Sequence, residues 1–200
     1  MRQIGLLGGS FDPIHKGHLQ LAVDAMQEFC LEEVWLAPAR LQPLKGGAIA
    51  PAEDRLAMCR LAAADTPGLR VLENEIHRDG PSYTVDTVRE LLAREPELAI
   101  TFVAGTDALV NLPKWKEPEE LLRVTRVVAV ERGGVPWQEL LANLPKSLGM
   151  RLTPCHARAL PISSTDVRDR IAKGLPISDL VPMAVEQYIR ERALYREDER

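Results

Sequence analysis

At 200 residues and 46% hydrophobic, the chain is long enough to bury one sizeable core and short for two, so a single domain over residues 1–200 is expected. Twenty-five basic residues against twenty-nine acidic ones give a net charge of -4, without the positive excess of a protein that grips a nucleic-acid backbone. The longest apolar runs, such as Ile100 to Ala104 and Val127 to Val130, fall far below the roughly 20 residues of a membrane span, and the amino-terminal run is too short for a signal-peptide core. No membrane partner is expected, and the cytoplasm is the expected location.

β-rich runs recur along the chain at Ile4 to Leu7, Val34 to Ala37, Leu69 to Leu72, Ile100 to Val103 and Val127 to Val130, with helical segments between them. The first helix has Leu19, Ala22, Val23, Met26 and Phe29 or Cys30 on one apolar face. Pro51 opens the second helix, PAEDRLAMCRLAAAD, where a first turn tolerates proline. A helical stretch is expected over Val85 to Arg94, and the charged end RERALYREDER reads as a solvated final helix that frays. Cys30, Cys59 and Cys155 lack CxxC spacing and read as buried free thiols. This alternation predicts a doubly wound α/β fold, a mostly parallel sheet with helices on both faces. Ligands of such sheets bind beyond the carboxyl ends of the strands, at a topological switch point.

Two loops carry the signs of phosphate chemistry. The first, Gly8-Gly9-Ser10-Phe11-Asp12-Pro13-Ile14-His15-Lys16-Gly17-His18, follows the first strand and opens the first helix. Its glycines let backbone amides approach a phosphate, and the positive end of the helix attracts it. His15 and His18 are three apart, so both rings can face one anion. The second, Ile162-Ser163-Ser164-Thr165-Asp166-Val167-Arg168, is a helix start with Ser163 as N-cap, Asp166 three residues on and Ile162 set to staple onto Val167. Alone it is a capping box; Arg168, one turn in, adds a permanent cation for phosphate oxygens.

Together the two loops resemble the nucleotidylyltransferase superfamily with HxGH and a serine-rich helix start. Within it the chain is similar to the bacterial nicotinate-nucleotide adenylyltransferases, with further matches at Arg55, Met58, Pro81-Ser82-Tyr83-Thr84, Gly105-Thr106-Asp107 and Trp115. It departs where the family shows Pro-Pro-His-Lys and this chain has Gln42-Pro43-Leu44-Lys45, and at Gly133, where a proline is common. The resemblance implies a Rossmann-like fold of nucleotidylyltransferase type. It also implies attack of the 5′-phosphate of nicotinate mononucleotide on the α-phosphorus of ATP, in NAD biosynthesis.

The nucleophile of that reaction is already ionised, so alignment and charge stabilisation are expected to carry catalysis. The resemblance assigns His18 to the α-phosphate, His15 to the triphosphate, and Lys45 and Arg168 as further cations. Gly8, Gly9, Ser10, Phe11, Gly105, Asp107, Ile162, Ser163, Ser164 and Thr165 are expected to bind ATP. Lys45, Tyr83, Thr84 and Trp115 are expected on the mononucleotide, Thr84 near its carboxylate and Trp115 stacked on the pyridine. Mg²⁺ is expected to ride on ATP phosphates without a dedicated protein site, because no acidic cluster has ligand spacing. Gln42 to Ala50, rich in glycine and proline, reads as a lid. A homo-oligomer is compatible with the sequence. The residues leave two alternatives open: the same chemistry on nicotinamide mononucleotide, and a nucleotide-binding sensor without turnover. A phosphopantetheine acceptor is disfavoured by the Pro81-Ser82-Tyr83-Thr84 and Trp115 matches, and a Rossmann oxidoreductase by the lack of an acid in Ala37-Pro38-Ala39-Arg40 after the second strand.

Overall fold

Strand and helix alternate from the amino terminus onward in the computed structural model, which describes residues 1–44, 46–132, 134–156 and 160–196. The first half runs β1 (Arg2–Gly9), α1 (Lys16–Glu28), β2 (Glu33–Pro38), α2 (Ala52–Ala64), β3 (Leu69–Val71), α3 (Asn74–His77) and α4 (Thr84–Arg94). The second half runs β4 (Leu98–Gly105), α5 (Thr106–Leu109), α6 (Pro118–Val124), β5 (Arg126–Val130), α7 (Trp137–Asn143), α8 (Lys146–Gly149), β6 (Leu152–Cys155), α9 (Ser164–Ala172) and α10 (Met183–Glu191). The six strands form one sheet in the order β3-β2-β1-β4-β5-β6, with parallel pairing throughout. The chain winds outward from β1 to β3, then returns to the other side of β1 at β4. The carboxyl ends of β1 and β4 therefore flank the switch point.

Side chains alternate across a strand, so neighbouring apolar residues must go to opposite faces. Leu7, Leu36, Val103 and Val128 enter one core with α1, α2, α9 and α10. Leu6, Trp35, Phe102 and Val127 enter the other with α4, α6, α7 and α8. Continuous apolar runs are thus what a strand buried on both faces demands. Each fully buried side chain of this size contributes about 1.5–3 kcal/mol.

Three expectations need correction. β6 is a sixth strand hidden from sequence by its brevity and by Pro154; among the described residues it pairs with β5 alone, and an edge tolerates a residue without an N–H. Cys30 is exposed, at φ 52° in the turn after α1, while Cys59 and Cys155 are buried. As far as the described residues go, the carboxyl-terminal stretch is not one continuous helix: α10 stops at Glu191, and Ala193 and Tyr195 take left-handed backbone conformations that turn the chain back onto the core; 197–200, the rest of the expected helix, lie outside the described residues.

Candidate active site

A cavity of about 540 Å³ opens beyond the carboxyl ends of β1 and β4. Its wall includes Gly8, Gly9, Ser10, Phe11 and His18 from the first loop and Ser163, Ser164, Thr165 and Arg168 from the second. Tyr83, Thr84, Gly105, Asp107 and Trp115 line it as well. The sheet topology has thus gathered residues from positions 8 to 168 around one space. His15 and Ile162 stand behind the wall rather than in it. Lys45 lies outside the described residues, as does Gly133.

The two histidines sit at the start of α1, with His15 as its N-cap. Their rings stack at 3.7 Å between centroids, and Phe11 meets the His18 ring edge-on at 5.0 Å. The backbone N–H of His15 donates to Nδ1 of His18 at 3.3 Å. An Nδ1 that accepts leaves the proton of the neutral ring on Nε2, so His18 carries a hydrogen-bond donor in the cavity wall. His15 is 1% exposed, and among the described residues neither of its ring nitrogens has a hydrogen-bond partner. Burial, helped by the charge of Arg132, lowers its pKa from 6.5 to about 3, so the ring is neutral at physiological pH. A buried polar group without a partner is uncommon and marks a position awaiting a ligand or water. Gly17 makes this stack feasible, because a Cβ there would come within 3.0 Å of the His15 ring.

The second loop forms the expected capping box: Ser163 Oγ accepts from Asp166 N–H at 3.1 Å and donates to Oδ2 of Asp166 at 2.6 Å. Ser164 Oγ donates to the Pro13 carbonyl at 2.9 Å, and Arg168 Nη1 donates to the Asp12 carbonyl at 2.6 Å. The two phosphate loops are therefore stapled together across most of the chain. Both serine hydroxyl protons are spent on structure. Thr165 Oγ1 accepts from Arg168 Nη2 at 3.2 Å. The amides of Ser164 and Thr165, the first two of α9, stand beside it, while that of Asp166 is taken up by the cap.

On the opposite wall, Thr84 begins α4, with Tyr83 as N-cap, one residue earlier than expected. Ser82 Oγ accepts from Arg40 N–H at 3.1 Å and Ser82 N–H donates to the Leu41 carbonyl at 2.8 Å, tying this turn to the loop after β2. Trp115 packs edge-on against Phe102 at 5.9 Å, and Lys116 Nζ lies 5.1 Å above the Tyr83 ring. Gln42, Pro43 and Leu44, with Gly46 to Ala48, line this side. Leu44 thus faces the cavity where the family resemblance expects a histidine.

The wall also holds charged residues that sequence reading did not single out. Arg40, Lys114, Lys116 and Arg132 join Arg168 in the wall, so a chain of net charge -4 presents a cation-rich cavity. Arg132 follows β5 at its carboxyl end, which is the signal that could have identified it. Thr106 Oγ1 donates to the Val135 carbonyl at 2.7 Å and accepts from Arg132 N–H at 3.0 Å, fixing that backbone. Glu75 is buried in the same wall and accepts from Thr87 Oγ1 at 2.7 Å; burial pushes its pKa up. Arg55, 1% exposed, donates to the carbonyls of Ser10 and Ala39, both at 2.6 Å, of Arg40 at 3.1 Å and of Ala50 at 3.2 Å. It holds together the loops after β1 and β2. Among the described residues, no three His, Cys, Asp or Glu side chains are grouped so as to hold a metal ion.

A sequence model described as cytidylyltransferase-like matches residues 6–170. A protein of Roseiflexus sp. (strain RS-1), named "Probable nicotinate-nucleotide adenylyltransferase", is 45% identical over 96% of this chain and 98% of its own. Proteins of the same name from Thermus thermophilus and Leifsonia xyli subsp. xyli are 43% and 41% identical, each over 97% of this chain and over 100% and 94% of their own lengths. Among solved structures, Plasmodium falciparum nicotinic acid mononucleotide adenylyltransferase complexed with NaAD has the same fold, with a TM-score of 0.74, 20% identity and 98% of both chains covered. Joined to a cavity built from both phosphate loops at the sheet's switch point, these likenesses over nearly the whole length show that the chain belongs to the nicotinate-nucleotide adenylyltransferase family.

Proposed function

We propose that this chain transfers the adenylyl group of ATP to nicotinate mononucleotide in the cytoplasm, releasing pyrophosphate and forming nicotinate adenine dinucleotide in NAD biosynthesis. The observation that carries the reading is His18, with its Nε2 proton in the wall of a cation-rich cavity at the β1–β4 switch point. An oxygen of the mononucleotide 5′-phosphate attacks the α-phosphorus of ATP. The bond from that phosphorus to the bridging oxygen breaks, and its electron pair leaves with pyrophosphate. Charge builds on the α-phosphate oxygens, where a preorganised donor stabilises the transition state more than the ground state.

His18 takes that role. His15 supplies a second imidazole beside it, whose single N–H gains an acceptor when a triphosphate oxygen reaches it. Arg168, Thr165 and the first-turn amides of α9 hold the triphosphate, aided by Arg132, and Lys45 is the further cation on the acceptor side. Gly8 to Phe11, Gly105, Asp107 and Ile162 to Ser164 shape the ATP site through backbone and ribose contacts. The amino-terminal end of α4, with Tyr83 and Thr84, receives the nicotinate carboxylate, and Trp115 stacks on the pyridine ring. Transfer in this class needs a divalent cation, and ATP enters here as its Mg²⁺ complex. When bound, the ion would neutralise charge on the phosphates.

Pyrophosphate release from Mg-ATP, measured with nicotinate mononucleotide, nicotinamide mononucleotide and phosphopantetheine, tests the reading. Turnover is expected with the nicotinate acceptor, and His18→Ala is expected to lower it by roughly 10²- to 10³-fold, as for loss of an oxyanion-hole donor. Preference for another acceptor would overturn the roles given to Tyr83, Thr84 and Trp115. Release from none of them would leave a nucleotide-binding sensor.

A further inference from the structure

The carboxyl-terminal segment returns to the far side of the first phosphate loop. Tyr195 Oη donates to Oδ1 of Asp12 at 2.8 Å. The same carboxylate, 5% exposed, accepts the backbone N–H of Ile49 at 2.7 Å and of Ala50 at 3.1 Å. Three donors from two distant stretches of chain thus meet on one side chain of the first loop. A second anchor lies beside it: Tyr188 Oη donates to Oδ1 of Asp54 at 2.8 Å and Arg192 Nε to the same oxygen at 3.2 Å. Asp54 precedes Arg55, whose guanidinium gathers the carbonyls of Ser10, Ala39, Arg40 and Ala50.

Two features indicate that this arrangement is over-determined rather than incidental. Ala193 (φ 51°) and Tyr195 (φ 63°) hold left-handed conformations that cost a non-glycine residue energy and persist only where surrounding contacts impose them. Leu194 and Tyr195 pack on the core shared by α1, α2 and α10. Tyr195 is not among the residues that line the cavity; Asp12, which accepts its hydroxyl, is.

We propose that Tyr195 is a positioning residue: its hydroxyl orients the Asp12 carboxylate, which in turn holds the Ile49–Ala50 end of the acceptor-side loop against the first phosphate loop. Tyr195→Phe keeps the ring and its packing while removing one donor. Amide exchange is read at Ile49 and Ala50 in the ligand-free protein. The KM for nicotinate mononucleotide is read in parallel, and this arm alone rests on the adenylyl-transfer reading. Leu148→Ala, at a buried side chain of α8 on the other face of the sheet, serves as a destabilised control.

Loss of a hydrogen bond to a charged group should speed exchange at Ile49 and Ala50 by about 10-fold, leave β1 and β4 amides unchanged, and raise KM about 10-fold with kcat held within about two-fold. The histidines keep their own support from the His15–His18 bond and from Arg168 on the Asp12 carbonyl, which is why kcat is spared. Unchanged exchange at the two amides would overturn the proposal. So would faster exchange spread over the sheet as in Leu148→Ala, or local loosening with an unaltered KM. If the unmodified protein releases no pyrophosphate with any acceptor, the adenylyl-transfer reading fails, and the exchange arm still decides whether Tyr195 holds the loop.

Discussion

His15 makes the stability of this protein depend on pH in a direction that can be worked out. Its ring binds a proton at 6.5 when exposed and at about 3 when folded, burial being the main cause and Arg132 the next. Above pH 6.5 neither state is protonated, and the residue contributes no pH dependence. Between 6.5 and 3 the unfolded chain takes up a proton that the folded one refuses, so stability falls as the pH falls through this window. At 1.36 kcal/mol per pKa unit, lowering the pH from 7 to 5 costs about 2 kcal/mol through this one ring. For a domain of this length, that corresponds to about 4–8 °C in Tm. Thermal unfolding of the unmodified protein and of His15→Asn at pH 7, 6 and 5 isolates the effect, because every other titrating group is shared. The unmodified protein should lose about 2 kcal/mol more than the variant over that range. Saturating Mg-ATP should shrink the difference, because phosphate oxygens near the ring favour its protonated form. Equal acid sensitivity of the two proteins would refute a neutral, partnerless His15.

Two more substitutions probe the walls of the site. Arg55→Met leaves the carbonyls of Ser10, Ala39, Arg40 and Ala50 without this donor, those of Ala39 and Ala50 in buried bonds, and urea unfolding should register a loss of roughly 3 kcal/mol; under about 1 kcal/mol would mean that these carbonyls find other partners. Trp115→Leu keeps bulk beside Phe102 but removes the stacking surface, so KM for nicotinate mononucleotide should rise about 10-fold while KM for ATP stays within about two-fold; a rise for ATP alone would move the tryptophan to the other substrate.

Much of this site was legible before any coordinates, for a local reason. A glycine-rich turn between a strand and a helix, and the Ser163–Asp166 capping box, are encoded within a few adjacent residues, so spacing alone predicts their conformation. The short β-rich runs of β1, β2, β4 and β5 reveal the parallel sheet because strands buried on both faces leave few polar positions to interrupt them, whereas the run at the edge strand β3 carries exposed Arg70. β6 escaped this logic: four residues including a proline carry no periodicity, and only pairing along β5 makes them a strand. The limit appears again in the side chains. Sequence offers three hydroxyls at Ser163, Ser164 and Thr165, but their duties divide according to what stands opposite, with Asp166 close by in the chain and the Pro13 carbonyl far from it.

Residue types and short spacings thus determined which groups the protein can bring to a phosphate, and the order of its elements implied where the strands would deliver them. Only the tertiary structure decided that His15 is buried without a partner and that Arg55 spends its charge on carbonyls. The same holds for Arg132 in the cavity wall and for Tyr195, which reaches back 183 positions to Asp12. Burial, and the hydrogen bonds that compensate it, depend on which distant segments the sheet brings together, and no local pattern carries that information.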